Sequence, residues 1–199
     1  MNKKIVIATM NNHKVSEIKA FIGDSYSVMI QSDFSIPSAR ETGSSFEENA
    51  LIKANLVAKK TNLLTLADDS GLEVDLLGGM PGIYSARYAG PNSSDDENNK
   101  KLIQELDKYK DQKIYARFHS VIALVDPAIK ETKIFHGAWE GRIKLAQKGN
   151  HGFGYDPLFF IDEHECTAAE LTQEKKNRLS HRAKALKAAC NYLKKERGR

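Results

Sequence analysis

The sequence predicts an α/β protein with a mixed β-sheet flanked by helices. Compact β-branched runs such as Ile5–Thr9 read as buried strands, and apolar stripes at helical spacing lie between them. The two kinds of segment mix along the whole chain rather than separating into blocks. With 199 residues, 41% of them hydrophobic, the chain can bury one good core, so one domain over residues 1–199 is expected.

In chain order, the strand Ile5–Thr9 is followed by a polar turn, Met10–Lys14. A helix then places Val15, Ile18, Phe21 and Ile22 on one face, with Gly23 where a helix stop belongs. Tyr26–Ile30 reads as a second strand. Ser45 with Glu48 forms a capping-box pattern ahead of a stripe of Phe46, Ala50, Ala54, Val57 and Ala58. Leu64–Ala67 reads as a short strand ending at Asp68-Asp69-Ser70-Gly71. Gly78–Pro91 is an ordered loop, because it also carries Ile83, Tyr84 and Tyr88.

Ser94 with Glu97 opens a further helix with Leu102, Ile103, Leu106 and Tyr109 inward. Ile114–Val125 and Lys133–Ile143 read as an antiparallel hairpin turning around Asp126-Pro127. A glycine-rich loop, Gly149–Asp156, precedes apolar Pro157–Ile161. The last helix uses Leu179, Ala183, Leu186, Cys190 and Leu193, with Ser180 either breaking it or capping its main part.

Composition narrows the function classes. A mean hydropathy of −0.49 with 28% charged residues is that of a soluble globular chain. No apolar run approaches the ~20 residues of a membrane span, and the start, Met1-Asn2-Lys3-Lys4, leads into too short an apolar run for a secretory signal. Cys166 and Cys190 have neither CxxC spacing nor the density of a disulfide scaffold, which makes the reducing cytoplasm the expected compartment. The net charge of +4 is concentrated towards the C-terminus, from Lys175 to Arg199. Such a run suits a polyanion, and equally a solvated helix face.

Familiar devices are absent. There is no GxxxxGK[ST], Gly152-Phe153-Gly154 lacks the third glycine of a dinucleotide fingerprint, and the histidines show no zinc-ligand spacing. Four other clusters suggest chemistry. Thr9, Met10, Asn11, Asn12, His13 and Lys14 sit between a strand and a helix, where unpaired N–H groups and a lysine suit phosphate; a helix cap with a solvent lysine is the plain alternative. Asp68 and Asp69 are anionic at neutral pH and repel each other, which a divalent metal relieves, and a carboxylate there can also deprotonate a water. Neighbours in an extended chain point opposite ways, so one of the two is expected to face the site; an acidic turn is the alternative.

Glu41, in the loop Arg40–Gly43, is a possible third acid. In Gly152–Pro157 the glycines admit close approach of a ligand, Phe153 and Tyr155 offer stacking faces, and Asp156 offers an acceptor; a tight turn with core aromatics fits as well. Lys176, His181 and Arg182 are donors near a helix start, able to bind a keto-bearing base and part of a polyphosphate, or simply to form a solvated basic helix.

The order of these motifs adds more than any of them alone. Thr-x-Asn-x-x-Lys at residues 9–14, Ser-Phe-x-Glu-Asn-Ala at 45–50, Leu-Ala-Asp-Asp-Ser-Gly-Leu at 66–72, the stretch Gly79–Gly90, Gly-Phe-Gly-Tyr-Asp-Pro at 152–157 and Ser-His-Arg at 180–182 strongly resemble the inosine triphosphate pyrophosphatase family. The resemblance spans Ile5 to about Leu193. It implies hydrolysis of deaminated purine nucleoside triphosphates (ITP, dITP, XTP) to monophosphate and pyrophosphate, with Mg²⁺ or Mn²⁺ as cofactor. It also implies two lobes around a central cleft and a homodimer, with no membrane or specific nucleic-acid partner.

Carried over by residue, Thr9, Met10, Asn11, Asn12, His13 and Lys14 match the phosphate-holding segment. Asp69 matches the catalytic acceptor and a metal ligand, Glu41 a second acid near the metal, and Ser70 a substrate contact. Phe153, Gly154, Tyr155 and Asp156 match the nucleoside pocket, and Lys176, His181 and Arg182 the base and phosphate donors. Three rival readings stay open: a Maf-like pyrophosphatase for pyrimidine or modified nucleotides, a nucleic-acid-binding module using the basic C-terminal helix, and a nucleotide sensor without turnover.

Overall fold

The structure, a computed structural model, describes residues 3–23 and 26–197. Met1, Asn2 and Arg199, which entered the reading of the two chain ends, lie outside the described residues. The strands are β1 (Lys4–Ile7), β2 (Ser27–Ile30), β3 (Leu64–Val74), β4 (Ile114–Asp126), β5 (Glu131–Ile143), β6 (Phe159–Ile161) and β7 (Cys166–Thr167). The helices are α1 (Asn12–Ile22), α2 (Phe46–Thr61), α3 (Asp95–Leu106), α4 (Gln173–Leu179) and α5 (His181–Arg197).

The strands form one seven-stranded sheet in the order β2-β1-β3-β4-β5-β6-β7. β1 pairs in parallel with β2 and β3, while β6 pairs antiparallel with β5 and β7, so the sheet is mixed as expected. Residues 127–130 are too few for a crossover, which makes β4 and β5 an antiparallel hairpin. No helix among the described residues is long and apolar enough to cross a membrane.

Several boundaries differ from the sequence reading. β3 does not stop at Ala67 but continues through both aspartates to Val74. The residues that look like a turn signal are tolerated because their charges have partners inside the protein. α1 starts at Asn12, with Asn11 as its N-cap, so part of the predicted polar turn is already helical. At α2 only half of the capping box forms: Ser45 accepts from the Glu48 N–H, but Glu48 reaches back to Ser44. At α3 both halves form between Ser94 and Glu97. Ser180 adopts extended geometry (ψ 160°) between α4 and α5, separating two helices rather than one. The two-residue β7 has no sequence signal of its own.

The chain falls into two compact units. The first comprises the described residues of Met1–Asp69, Ser120–Gly137 and Arg182–Arg199. Its strands alternate: Ile5, Ile7, Leu66, Ile122 and Leu124 pack under α1 and α5, while Val6, Ala8, Ala67, Val121, Ala123 and Val125 pack under α2. Burial on both faces explains why these strands read as unbroken apolar runs. The second unit comprises Ser70–His119 and Ala138–His181. It has its own core, in which Leu72, Val74, Leu102, Leu106, Phe118, Trp139, Leu158 and Phe159 meet.

Ile122 is fully buried between α1, α5 and the neighbouring strands of the first unit. Ile122→Ala is expected to destabilise the protein by roughly 2–5 kcal/mol in urea unfolding, through lost burial and the cavity left behind. Ile129→Ala, at a side chain 61% exposed, should change stability by no more than about 0.5 kcal/mol.

Candidate active site

The first unit concentrates charge around the acidic pair of β3. Pleating sends the two side chains to opposite faces, and each finds its own cations. Asp68 is fully buried. Its Oδ2 lies 2.7 Å from Lys14 Nζ of α1 and 3.3 Å from an Arg182 terminal nitrogen, and its Oδ1 accepts from the Ser120 hydroxyl of β4 at 2.6 Å. Arg182, itself 2% exposed, bonds Glu17 of α1 at 2.5 Å through its other terminal nitrogen. Burial alone would push the Asp68 carboxyl up, yet Arg182 and Lys14 hold it well below the usual aspartate range.

Asp69 faces α2. Its Oδ1 accepts from Lys53 Nζ at 2.5 Å, and the same Nζ lies 3.0 Å from Glu41 Oε1. Two carboxylates therefore share one ammonium. Burial disfavours the Lys53 cation, but Asp69 and Glu41 together raise its affinity for the proton. Asp69 is different: burial pushes its carboxyl up, Glu41 adds to the push, and the shared Lys53 does not offset it. Two adjacent aspartates are thus split, one locked as an anion and one that holds its proton more firmly than a solvated aspartate.

The segment leading into α1 supports this cluster. Thr9 Oγ1 accepts from the Asn11 N–H at 3.2 Å, and Asn11 Oδ1 accepts from the Lys14 N–H at 3.1 Å. Asn12 and His13 form the exposed first turn of α1, and Met10 is 53% exposed. Burial lowers the Lys14 ammonium, aided by Lys53 and Arg182 and opposed by Asp68. Glu41 comes from the segment before α2, where the Gly43 N–H donates to the buried Asn49 Oδ1 at 2.8 Å.

The second unit holds the glycine-rich loop. Asp156 is buried and ion-paired with buried Lys176, and it also accepts from the Phe153 N–H at 2.9 Å. A side chain at Gly152 (φ +78°) would fall on that pair. Tyr155 lies in the core, its hydroxyl donating to the Ser85 carbonyl at 2.8 Å, and burial raises its phenol. The ring that stays half-exposed is Phe153, with Lys176 Nζ 4.8 Å from its centroid. Gly154 is held through its backbone by Asp95 and Asn99 of α3. His181 is buried and stacked on Phe118 at 4.8 Å between centroids, and Ser70 is half-buried on β3.

The predicted residues thus gather into two sets, one per unit. Thr9–Lys14, Glu41, Asp69 and Arg182 belong to the first, and Ser70, Phe153–Asp156, Lys176 and His181 to the second. Arg182, Lys176 and Asp156, expected to take part in binding the base and phosphates, have buried partners within the protein. Three residues of the network were missed from sequence: Lys53, Glu17 and Ser120. Lys53 had a signal, since it stands at helical spacing between Ala50 and Val57 and puts a charge into an apolar stripe.

Fold and site together define an α/β protein with a buried carboxylate–cation network around β3 and a glycine-rich loop carrying a half-exposed aromatic ring. Residues 5–192 match the model of the Ham1 family. A dITP/XTP pyrophosphatase of Vibrio cholerae is 49% identical over 197 residues, 98% of each chain. The solved HAM1 protein of Coxiella burnetii superposes with a TM-score of 0.90 at 42% identity, over 97% of this chain and 99% of that one. The Ham1 protein of Staphylococcus aureus gives 0.88 at 43%, over 98% and 100%. The chain belongs to the Ham1 family.

The split between the two aspartates is measurable. In the protein without added metal, the Asp69 carboxyl should titrate above 3.8, the ordinary aspartate value, as followed by carboxyl carbon shifts in NMR. Glu41→Gln removes a like charge and should lower that midpoint, while Lys53→Met removes the cation and should raise it further. An Asp69 midpoint indifferent to both substitutions would contradict the shared-lysine arrangement.

Proposed function

We propose that this chain hydrolyses deaminated purine nucleoside triphosphates, dITP, ITP and XTP, to the monophosphate and pyrophosphate. The observation that carries the reading is Asp69, a carboxylate raised by burial and held beside Lys53 and a second acid, Glu41. The names borne by relatives such as the Vibrio cholerae dITP/XTP pyrophosphatase support the substrate class.

Glu41 and Asp69 are the residues proposed to hold a divalent cation, Mg²⁺ or Mn²⁺. Among the described residues no group of three or more His, Cys, Asp and Glu is placed to hold a metal ion. Two carboxylates nevertheless converge on one cationic atom, Lys53 Nζ, and an oxygen pair with substrate phosphate and water fits a hard ion. Bound there, the ion supplies charge neutralisation at the phosphates.

The chain's own residues do the rest. Asp69 orients a water and takes its proton as the water oxygen bonds to the α-phosphorus; the α–β phosphoanhydride bond breaks and pyrophosphate leaves with the electron pair. Lys14, Lys53 and the N–H groups opening α1, within Thr9–Lys14, offset charge on the phosphate oxygens. Phe153 supplies the stacking face for the base, with Ser70, Gly154, Tyr155, Asp156 and Lys176 shaping its surroundings. The start of α5 supplies the donors for the 6-oxo group from His181 and its first backbone N–H groups, with Arg182 held behind them by Glu17 and Asp68; an amino group would meet them donor to donor. Residues 1–199 are read as one catalytic domain and as a cytoplasmic homodimer; the family resemblance of the sequence supports this part of the reading.

A product-resolved assay tests the reading. With divalent metal, dITP and XTP should give monophosphate plus pyrophosphate, while dGTP and ATP stay nearly intact and EDTA stops the reaction. Release of orthophosphate, or equal cleavage of the standard nucleotides, would overturn it. Asp69→Asn should lower kcat by about 10²–10⁴ while nucleotide binding is largely kept. Lys14→Ala should weaken kcat/KM for every triphosphate alike; an effect confined to one base would remove Lys14 from phosphate binding.

A further inference from the structure

The glycine-rich loop has an external holder that its own sequence does not reveal. Gly149, Gly152 and Gly154 all adopt positive φ, between +65° and +84°. Such backbone is flexible unless something outside fixes it, because glycine has the most conformational freedom to lose. At Gly154 that something is α3. The Gly154 N–H donates to Asp95 Oδ2 at 2.6 Å, and the Gly154 carbonyl accepts from Asn99 Nδ2 at 2.9 Å. Asp95 and Asn99 are one helical turn apart, so one face of α3 grips both peptide groups flanking Gly154.

The grip is firmly based. The capping box of Ser94 and Glu97 sets the start of α3. Asn98, 2% exposed, accepts from the Ala89 N–H and the Ser93 hydroxyl, which fastens the helix to the preceding loop. Asn99 is 3% exposed, and its amide must turn its donor side to the Gly154 carbonyl; its Oδ1 has no partner among the described residues. A polar side chain buried in this way within a helix is not there for helix propensity. The peptide that carries the Gly154 N–H also carries the Phe153 carbonyl, so the contact to Asp95 fixes the backbone beside the half-exposed ring.

We propose that Asp95 and Asn99 are positioning residues that set base discrimination by clamping Gly154 and thereby aiming Phe153. The proposal rests on the reading that Phe153–Asp156 takes the nucleoside, and it deepens that reading. A pre-aimed ring binds and selects its base without first ordering the loop. Loss of the clamp therefore acts on substrate affinity and on selectivity, not on the hydrolytic step.

Steady-state kinetics on dITP and dATP with Mg²⁺ test this. Asp95→Ala should raise KM for dITP about tenfold, leave kcat within about twofold, and lower the dITP/dATP ratio of kcat/KM about tenfold, the worth of one charge-assisted hydrogen bond. Asp95→Asn keeps an acceptor and should restore most of the loss. Asp96→Ala removes the neighbouring acid from the same helix turn without touching Gly154, and should match the unsubstituted chain. Asn99→Asp, which sets an oxygen against the Gly154 carbonyl, should reproduce the KM effect through the second contact. Unchanged KM and ratio in Asp95→Ala, or an equal effect in Asp96→Ala, would overturn the clamp alone. If the unsubstituted chain neither binds nor hydrolyses dITP, the nucleoside reading falls and the clamp's role falls with it.

Discussion

A fully buried aspartate has to be paired, and in the first unit that requirement organises everything around it. Asp68 gathers Lys14 from α1, Arg182 from α5 and Ser120 from β4 onto a single carboxylate of β3. Arg182 in turn carries Glu17 of α1. These charges stabilise one another in the interior, since stripping one partner from a buried pair costs about 3–5 kcal/mol. The ionic network is therefore tied to the packing of α1 and α5 against the sheet. The placement of Lys14, which the phosphate reading needs, is a by-product of how the unit folds.

The alternation of a β-strand turns that structural network into a chemical one. Asp69 is the next residue, but pleating takes its side chain to the face of α2, where the Asp68 cations do not serve it directly. There it finds one ammonium already committed to Glu41 as well. Asp68 stays ionised at any physiological pH, while Asp69 holds its proton more firmly than a solvated aspartate does. The same strand thus carries one carboxylate fixed as an anion and one that holds its proton more firmly, the property that the proposed role of Asp69 needs. Had β3 ended at Ala67, both acids would lie in a solvated turn and neither property would follow.

How much of this was legible in the sequence depends on the range of the interaction. Periodicity located the apolar strands and helices, because burial on one or both faces writes itself into neighbouring residues. Local chemistry located the Ser94–Glu97 cap and the break at Ser180 for the same reason. The length of β3 was misread because Asp-Asp-Ser-Gly is a turn signal unless distant cations are known to receive it, and those come from positions 14, 53 and 182. The buried partners of Arg182, Lys176 and Asp156 were not legible, since no local pattern tells a buried ion pair from an exposed donor. Lys53 and Glu17 were recoverable in principle, as charges interrupting apolar helical faces. Ser120, inside an apolar strand, offered nothing beyond its polarity.

The glycine-rich loop follows a different logic from the charge cluster. Around Asp68 and Asp69 the side chains are held by one another, and the backbone belongs to regular strands and helices. In Gly149–Asp156 the backbone has no such ladder, and the residues that look functional are spent on holding it: Asp156 and Lys176 on each other and on the Phe153 N–H, Tyr155 on Ser85. Under the proposed function, what this loop itself offers the base is the ring of Phe153 and the shape of its backbone, beside the donors proposed at the start of α5. A loop of that kind would contribute to selection by its geometry. Its selectivity can only be as good as the rigidity of the element that holds it, and at Gly154 that element is a capped helix 55 and 59 residues away in sequence.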